Sequence, residues 1–261
     1  MSARVDARSL GFAGEQLWFR MPAAYAPIEP RLEPFVVALL LPAMVAGDDL
    51  IVDGPLSPSL LRNLAEVQQY LVGQNPLNPW TRFRAIEIRS ASLQEPSAGT
   101  HRAGLFFSGG VDSMYSLLRG EAETGRSLHA LVFIHGFDIP LERVRRAGTV
   151  LRHVTAVARL TDRPLVRVAT NLRRFTDAAL HWDMAHGAGL AAVGHALASH
   201  FDCWFISASD SHFRNGELSG TTTPLDRLWS NDQLRFLSVG ASIDRQQKID
   251  QLADEPCVHR H

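Results

Sequence analysis

The sequence predicts an α/β protein with a parallel sheet covered by helices over residues 103–250. A small α+β unit over residues 1–95 precedes it, and a tail of residues 251–261 follows. Two observations carry this expectation. Beyond about residue 102, short apolar runs alternate with longer stretches of helical periodicity, the pattern of strand–helix–strand units. The stretch Ser92-Leu93-Gln94-Glu95-Pro96-Ser97-Ala98-Gly99-Thr100 is rich in turn formers and divides the chain.

In the first unit, Gln16 to Met21 reads as a short strand and Phe35 to Ala46 as a buried helix. Leu50 to Asp53 reads as a strand. Ser57-Pro58 supplies a cap and a first-turn proline ahead of the stripe Leu60, Leu61, Leu64, Val67, Leu71. Phe83 to Arg89 alternates apolar and polar, as a half-buried strand does. In the second unit, Ala103 to Phe107 is a strand, followed by a glycine loop and a helix through Leu118. Ala130 to Ile134, Leu165 to Ala169 and Cys203 to Ser207 are further strands. Leu141, Val144, Leu151, Val154 and Val157 mark the buried side of a helix whose arginines, Arg146 among them, fall on a solvated face. Ala185 to His200 is helical, and residues 209 to 226 read as a long active-site loop.

Composition excludes several classes. The 261 residues carry a net charge of −1, which gives no general attraction to nucleic acid or anionic membrane. Met1 to Gly14 lacks the apolar centre of a signal peptide, and the apolar run Phe35 to Ala46 is too short to span a bilayer. The 2 cysteines, Cys203 and Cys257, form no framework, so a reducing cytoplasmic setting is expected. Lys248 is the only lysine among many arginines. Compositional bias accounts for that, as does a task requiring a compact point charge at a phosphate.

Chemistry concentrates at Ser108-Gly109-Gly110-Val111-Asp112-Ser113, between a strand and a helix. The first amides of a helix lack internal partners and its dipole favours anions, so a phosphate is the natural guest. Gly109 and Gly110 let the backbone approach it, Ser108 and Ser113 offer hydroxyls, and Asp112 can cap the helix or hold Mg²⁺ facing the phosphates. Neither GxxxxGK[ST] nor GxGxxG is present.

This hexapeptide resembles the SGGxDS signature of the N-type ATP pyrophosphatases, the PP-loop or adenine nucleotide alpha-hydrolase-like group. That group includes GMP synthetase, NAD synthetase, asparagine synthetase, tRNA thiolation enzymes and 7-cyano-7-deazaguanine synthase. The resemblance implies a Rossmann-like, HUP-type five-stranded parallel sheet. It implies ATP as cosubstrate, cleaved to AMP and pyrophosphate while a substrate oxygen attacks the α-phosphate. The adenylate then accepts nitrogen or sulfur. Adenine is expected at the backbone of the second strand end, Phe133 to His135. The layout of about residues 103 to 250 looks most similar to the 7-cyano-7-deazaguanine synthase branch. That branch carries a C-terminal zinc-binding cysteine cluster, and Cys257-Val258-His259-Arg260-His261 does not reproduce it.

Ligands of open parallel sheets sit beyond the carboxyl ends of the strands. Those ends offer His135, Gly136, Phe137 and Asp138, then Thr170 and Asn171, then Ser209, Asp210, Ser211 and His212. Asp138 stands before Pro140 as either a turn residue or a ligand. His186, in His186-Gly187-Ala188-Gly189 near a helix start, can meet the nucleotide or mark tight helix packing. Arg214 can neutralise a phosphate. His181, His186, His195, His200 and His212 have poor spacing for zinc, because His186 and His195 fall on opposite faces of one helix. Asp112, Ser113 and Lys248 are the residues expected to act on the reacting phosphates, with Mg²⁺. Expected partners are a small-molecule substrate and ammonia, an amine or a partner amidotransferase as nitrogen donor, with no nucleic acid and no membrane. A sulfurtransferase and a non-catalytic nucleotide sensor are the competing readings.

Overall fold

The computed structural model describes residues 1–27, 31–95, 99–209 and 219–255. The first stretch folds into β1 (Ser2–Ala7), β2 (Phe12–Arg20), α1 (Glu33–Ala46), β3 (Leu50–Leu56), α2 (Pro58–Gly73) and β4 (Ile88–Leu93). Then follow β5 (Ala103–Phe106), α3 (Val111–Thr124), β6 (Leu128–His135), α4 (Val144–Leu160), β7 (Leu165–Thr170), α5 (Leu172–Thr176) and α6 (Trp182–Ala196). The chain continues with β8 (Cys203–Ser207), α7 (Thr223–Leu228), β9 (Arg235–Val239) and α8 (Arg245–Leu252). Among the described residues no helix is long and apolar enough to cross a membrane.

Among the described residues the central sheet has 7 strands in the order β1-β2-β7-β6-β5-β8-β9. From β7 through β9 neighbouring strands run parallel. The inner strands are apolar on both faces, as a doubly covered parallel sheet requires. Leu105, Leu131 and Phe205 pack with Met114, Val154 and Leu252, which belong to α3, α4 and α8. Their strand neighbours Phe106, Val132 and Trp204 pack on the other side with Leu40, Ala188 and Ala192 of α1 and α6.

The five strands implied by the sequence resemblance are exceeded by two, which the N-terminal stretch supplies. β1 pairs antiparallel with β2, and β2 pairs antiparallel with β7. Asn171 fixes that junction by accepting from Trp18 N at 2.9 Å and donating to Gln16 O at 2.8 Å. The third strand end is therefore occupied by structure. β3 and β4 form a separate 2-stranded parallel sheet, joined through α2. Ser57 caps α2 by accepting from Leu60 N, and Leu60, Leu64, Val67 and Leu71 are buried as the stripe requires.

Two expectations need correction. The strand expected over Phe83–Arg89 lies instead at Ile88–Leu93, because Asn75 pins Phe83 in a loop by bonding both its N–H and its carbonyl. Part of the loop expected over residues 209–226 is helix α7, with Leu225 and the following Trp229 buried. Thr222 caps it by accepting from Leu225 N, and Pro224 sits in its first turn.

Candidate active site

The glycine loop leaves the end of β5, where Phe107 N donates to Val132 O at 2.8 Å. Gly109 has φ +81°, a left-handed conformation that glycine adopts without strain. Gly110 then caps α3 with no side-chain bond to the first-turn amides. The serines shape the loop. Ser113 Oγ accepts from Gly109 N at 3.1 Å and donates to Gly110 O at 3.0 Å, while Ser108 Oγ accepts from Gly110 N at 3.3 Å. Among the described residues no side chain bonds the amides that follow Gly110 at the start of α3.

Asp112 is held by two cations. Arg245 Nη1 lies 2.7 Å from its Oδ2, and Lys248 Nζ lies 3.2 Å from its Oδ1. The Lys248 side chain is 0% exposed and also donates to the Ala208 carbonyl just past β8. Beside it stands Tyr115, whose hydroxyl donates to Glu123 at 2.6 Å. Burial first, and the Glu123 bond second, push that phenol up to about 12. Glu123 also accepts from Gly240 N, tying α3 to the end of β9. The only lysine thus braces the glycine loop against β8 and does not line the cleft.

A cleft of about 540 Å³ opens at the loop, over the carboxyl ends of β5 and β6. Ser108, Gly110, Val111, Asp112 and Ser113 form one end of its lining. Phe106, Val132 and Phe133 contribute apolar surface, Arg146 and Val150 come from α4, and Arg245 comes from α8. Phe137, Asp138, Trp182, Asp183 and His186 also line it, from the β6–α4 turn and α6. Trp182 donates its indole N–H to Asp138 at 3.1 Å and packs 4.7 Å from Phe137, and Arg173 sits over the indole ring.

His186 is a fixed tautomer. Its Nδ1 lies 2.9 Å from Asp183 O, and a carbonyl can only accept, so Nδ1 carries the hydrogen. Nε2 therefore accepts from the Thr221 hydroxyl at 3.1 Å. Burial lowers its pKa and disfavours the charged ring. Next to it, a Cβ on Gly187 would fall 1.8 Å from Gly220 O, so only glycine permits this approach of the 219–222 segment to α6.

Several expected site residues lie elsewhere. His135 is engaged with the Pro140 carbonyl in the β6–α4 turn and does not line the cleft. His195 donates to Trp229 O at 2.8 Å deep in the core, where burial lowers its pKa to about 4. Cys203 is buried and burial raises its thiol pKa. Asp210, Ser211, His212, Arg214, Cys257, His259 and His261 lie outside the described residues. Among the described residues no three His, Cys, Asp or Glu side chains converge as a metal site. The sequence reading missed Arg245 and Trp182, and it assigned Arg146 to solvent. Proximity to a cleft depends on how helices dock, which a single helical stripe does not encode.

Comparison with protein-family models, with curated proteins and with solved structures finds no match.

Proposed function

We propose that the chain binds ATP in this cleft and cleaves it to AMP and pyrophosphate, adenylating a carboxylate or amide oxygen of a small molecule that then receives nitrogen. The observation that carries the reading is Ser108–Ser113 in its structural setting. An uncapped helix start opens into a cleft at the carboxyl edge of a parallel sheet, with Arg146 and Arg245 in the lining. The amides at the start of α3 hold the departing pyrophosphate. The apolar lining that runs from Phe133 at the end of β6 to Phe137 and Trp182 receives the base, and the α-phosphate lies between. Preorganised donors and cations aimed at the leaving group supply the transition-state stabilisation.

Mg²⁺ entering with the nucleotide would supply neutralisation of the phosphate charge. Asp112 would be the residue to hold it. A hard carboxylate oxygen beside phosphates suits this ion, once one of its two cationic partners has moved. The nitrogen donor is ammonia, an amine or the product of a partner amidotransferase. The buried, high-pKa Cys203 speaks against a thiol carrier at that position.

Phosphorus NMR of ATP incubated with the protein and a panel of carboxylic acids and ammonium tests the reading. AMP and pyrophosphate appearing only with a particular acid is the expected result. ADP with orthophosphate overturns it, and nucleotide binding without turnover for any acid favours a sensor.

A further inference from the structure

We infer that Arg245 exchanges partners when an anion enters the cleft, leaving Asp112 for the incoming phosphate group and so freeing one carboxylate oxygen for a divalent cation. This deepens the proposed function and rests on its phosphate site. The two cations on Asp112 are unequal. Lys248 is wholly buried and anchored a second time on the Ala208 carbonyl, so turning toward a ligand would cost it a second bond and leave a partly buried acceptor unpaired. Arg245 is the opposite case. Its side chain is 57% exposed, it sits at the first position of α8, it reaches Asp112 through a single nitrogen, and it lines the cleft. Solvent screening makes such an exposed pair easy to break. A phosphate offers the guanidinium fork a bidentate partner of higher charge than a carboxylate.

The exchange has a thermodynamic signature. While Arg245 holds Oδ2 and Lys248 holds Oδ1, both oxygens of Asp112 are engaged and a divalent cation must displace one of them. Once a phosphate takes Arg245, Oδ2 is open. Anion and metal therefore help each other to bind, and by linkage the help is reciprocal. Arg146, from α4, makes no hydrogen bond or ion pair among the described residues, so it meets the anion without giving anything up.

Calorimetric titration of the full chain with inorganic pyrophosphate and with Mn²⁺, separately and together, reads both halves. Arg245→Gln is expected to weaken metal-free pyrophosphate binding by about tenfold or more. In the absence of pyrophosphate it is expected to tighten Mn²⁺ by about threefold or more, because Oδ2 is already free. A purely structural Arg245 would move neither constant. Pyrophosphate affinity within about twofold of wild type, or weaker Mn²⁺ binding, overturns the exchange. Should the glutamine variant not fold, Arg245→Lys decides alone. It keeps the charge but not the fork, and an about threefold loss of pyrophosphate affinity supports the exchange while equal affinity overturns it. Failure of the wild-type chain to bind pyrophosphate at all strikes the phosphate site itself. Normal ATP cleavage with an indifferent Arg245→Gln strikes only the exchange.

Discussion

The two ends of the cleft are built from different materials. At the α3–α8 end the lining is ionic, with helix amides, Asp112 and Arg245 backed by buried Lys248. At the α6 end it is aromatic and tightly packed, with Trp182 against Phe137 and neutral His186 clamped between Asp183 and Thr221. The first end is suited to charge that arrives and leaves. Its affinity should fall with salt, because exposed charges are screened within about 10 Å at ordinary ionic strength. The second is suited to a flat apolar group, and salt should barely touch it.

The largest expected effect on binding separates the ends cleanly. Gly110 has φ −80° and ψ 169°, which any residue can adopt, and among the described residues a Cβ there meets only Ser108 Oγ, at ordinary contact distance. Gly110→Val should therefore fold normally. Its methyl groups occupy the phosphate position, so pyrophosphate binding should drop by about a hundredfold or more. Calorimetry beside a thermal melt checks both halves, and a folded variant that still binds pyrophosphate breaks the assignment of the ionic end.

The support behind the aromatic end carries a pH signature. Asp226 on α7 is 1% exposed and accepts from Ser238 on β9 at 2.6 Å. Burial, opposed by the Ser238 bond, raises its pKa from 3.8 to about 7. Between those values the unfolded chain has lost a proton that the folded chain keeps, so this carboxyl makes stability fall as pH rises, until the folded group also ionises. The displacement corresponds to about 4 kcal/mol at most. His195 works in the opposite sense. Its pKa is lowered from 6.5 to about 4, so its contribution grows as pH rises across that range. Asp226→Asn should match wild type near pH 4, gain on it steadily up to about pH 7, and hold a constant lead above that. Urea unfolding at several pH values measures the difference. A difference that does not vary with pH would mean Asp226 is not a buried acid.

The smallest effect sharpens the division. Trp182→Leu should lower adenine nucleotide affinity by about fivefold, the scale of one aromatic contact, and leave pyrophosphate affinity unchanged. Equal losses for both ligands would merge the two ends into one site.

Legibility in the sequence followed burial. β5, β6, β7 and β8 were readable because strands covered on both faces are unbroken apolar runs. β9, with Arg235 and Ser238 among its 5 residues, and edge strand β1, with Arg4 and Asp6, carry polar residues that hide a strand from such a reading. α7 was misread although its cap and first-turn proline were present, because threonines and a glycine crowd the residues before it. In the site, the glycine loop was legible as a local motif. Arg245 and Lys248 meet Asp112 from more than 130 positions away along the chain, a separation no local pattern reports. Lys248 drew notice only through its rarity, and its bracing of β8 against the loop needed the packed structure.

That rarity has a practical side. Lys248 is the only lysine in the 261 residues, and its side chain is wholly enclosed. An amine-acylating reagent, or a protease that cuts after lysine, therefore meets its single side-chain target only when α8 lifts from α3. Where reclosing is fast, the rate of modification or cutting follows the free energy of that opening. The chain thus carries a one-position chemical clock at the base of its glycine loop, and any guest that stiffens the loop should slow it.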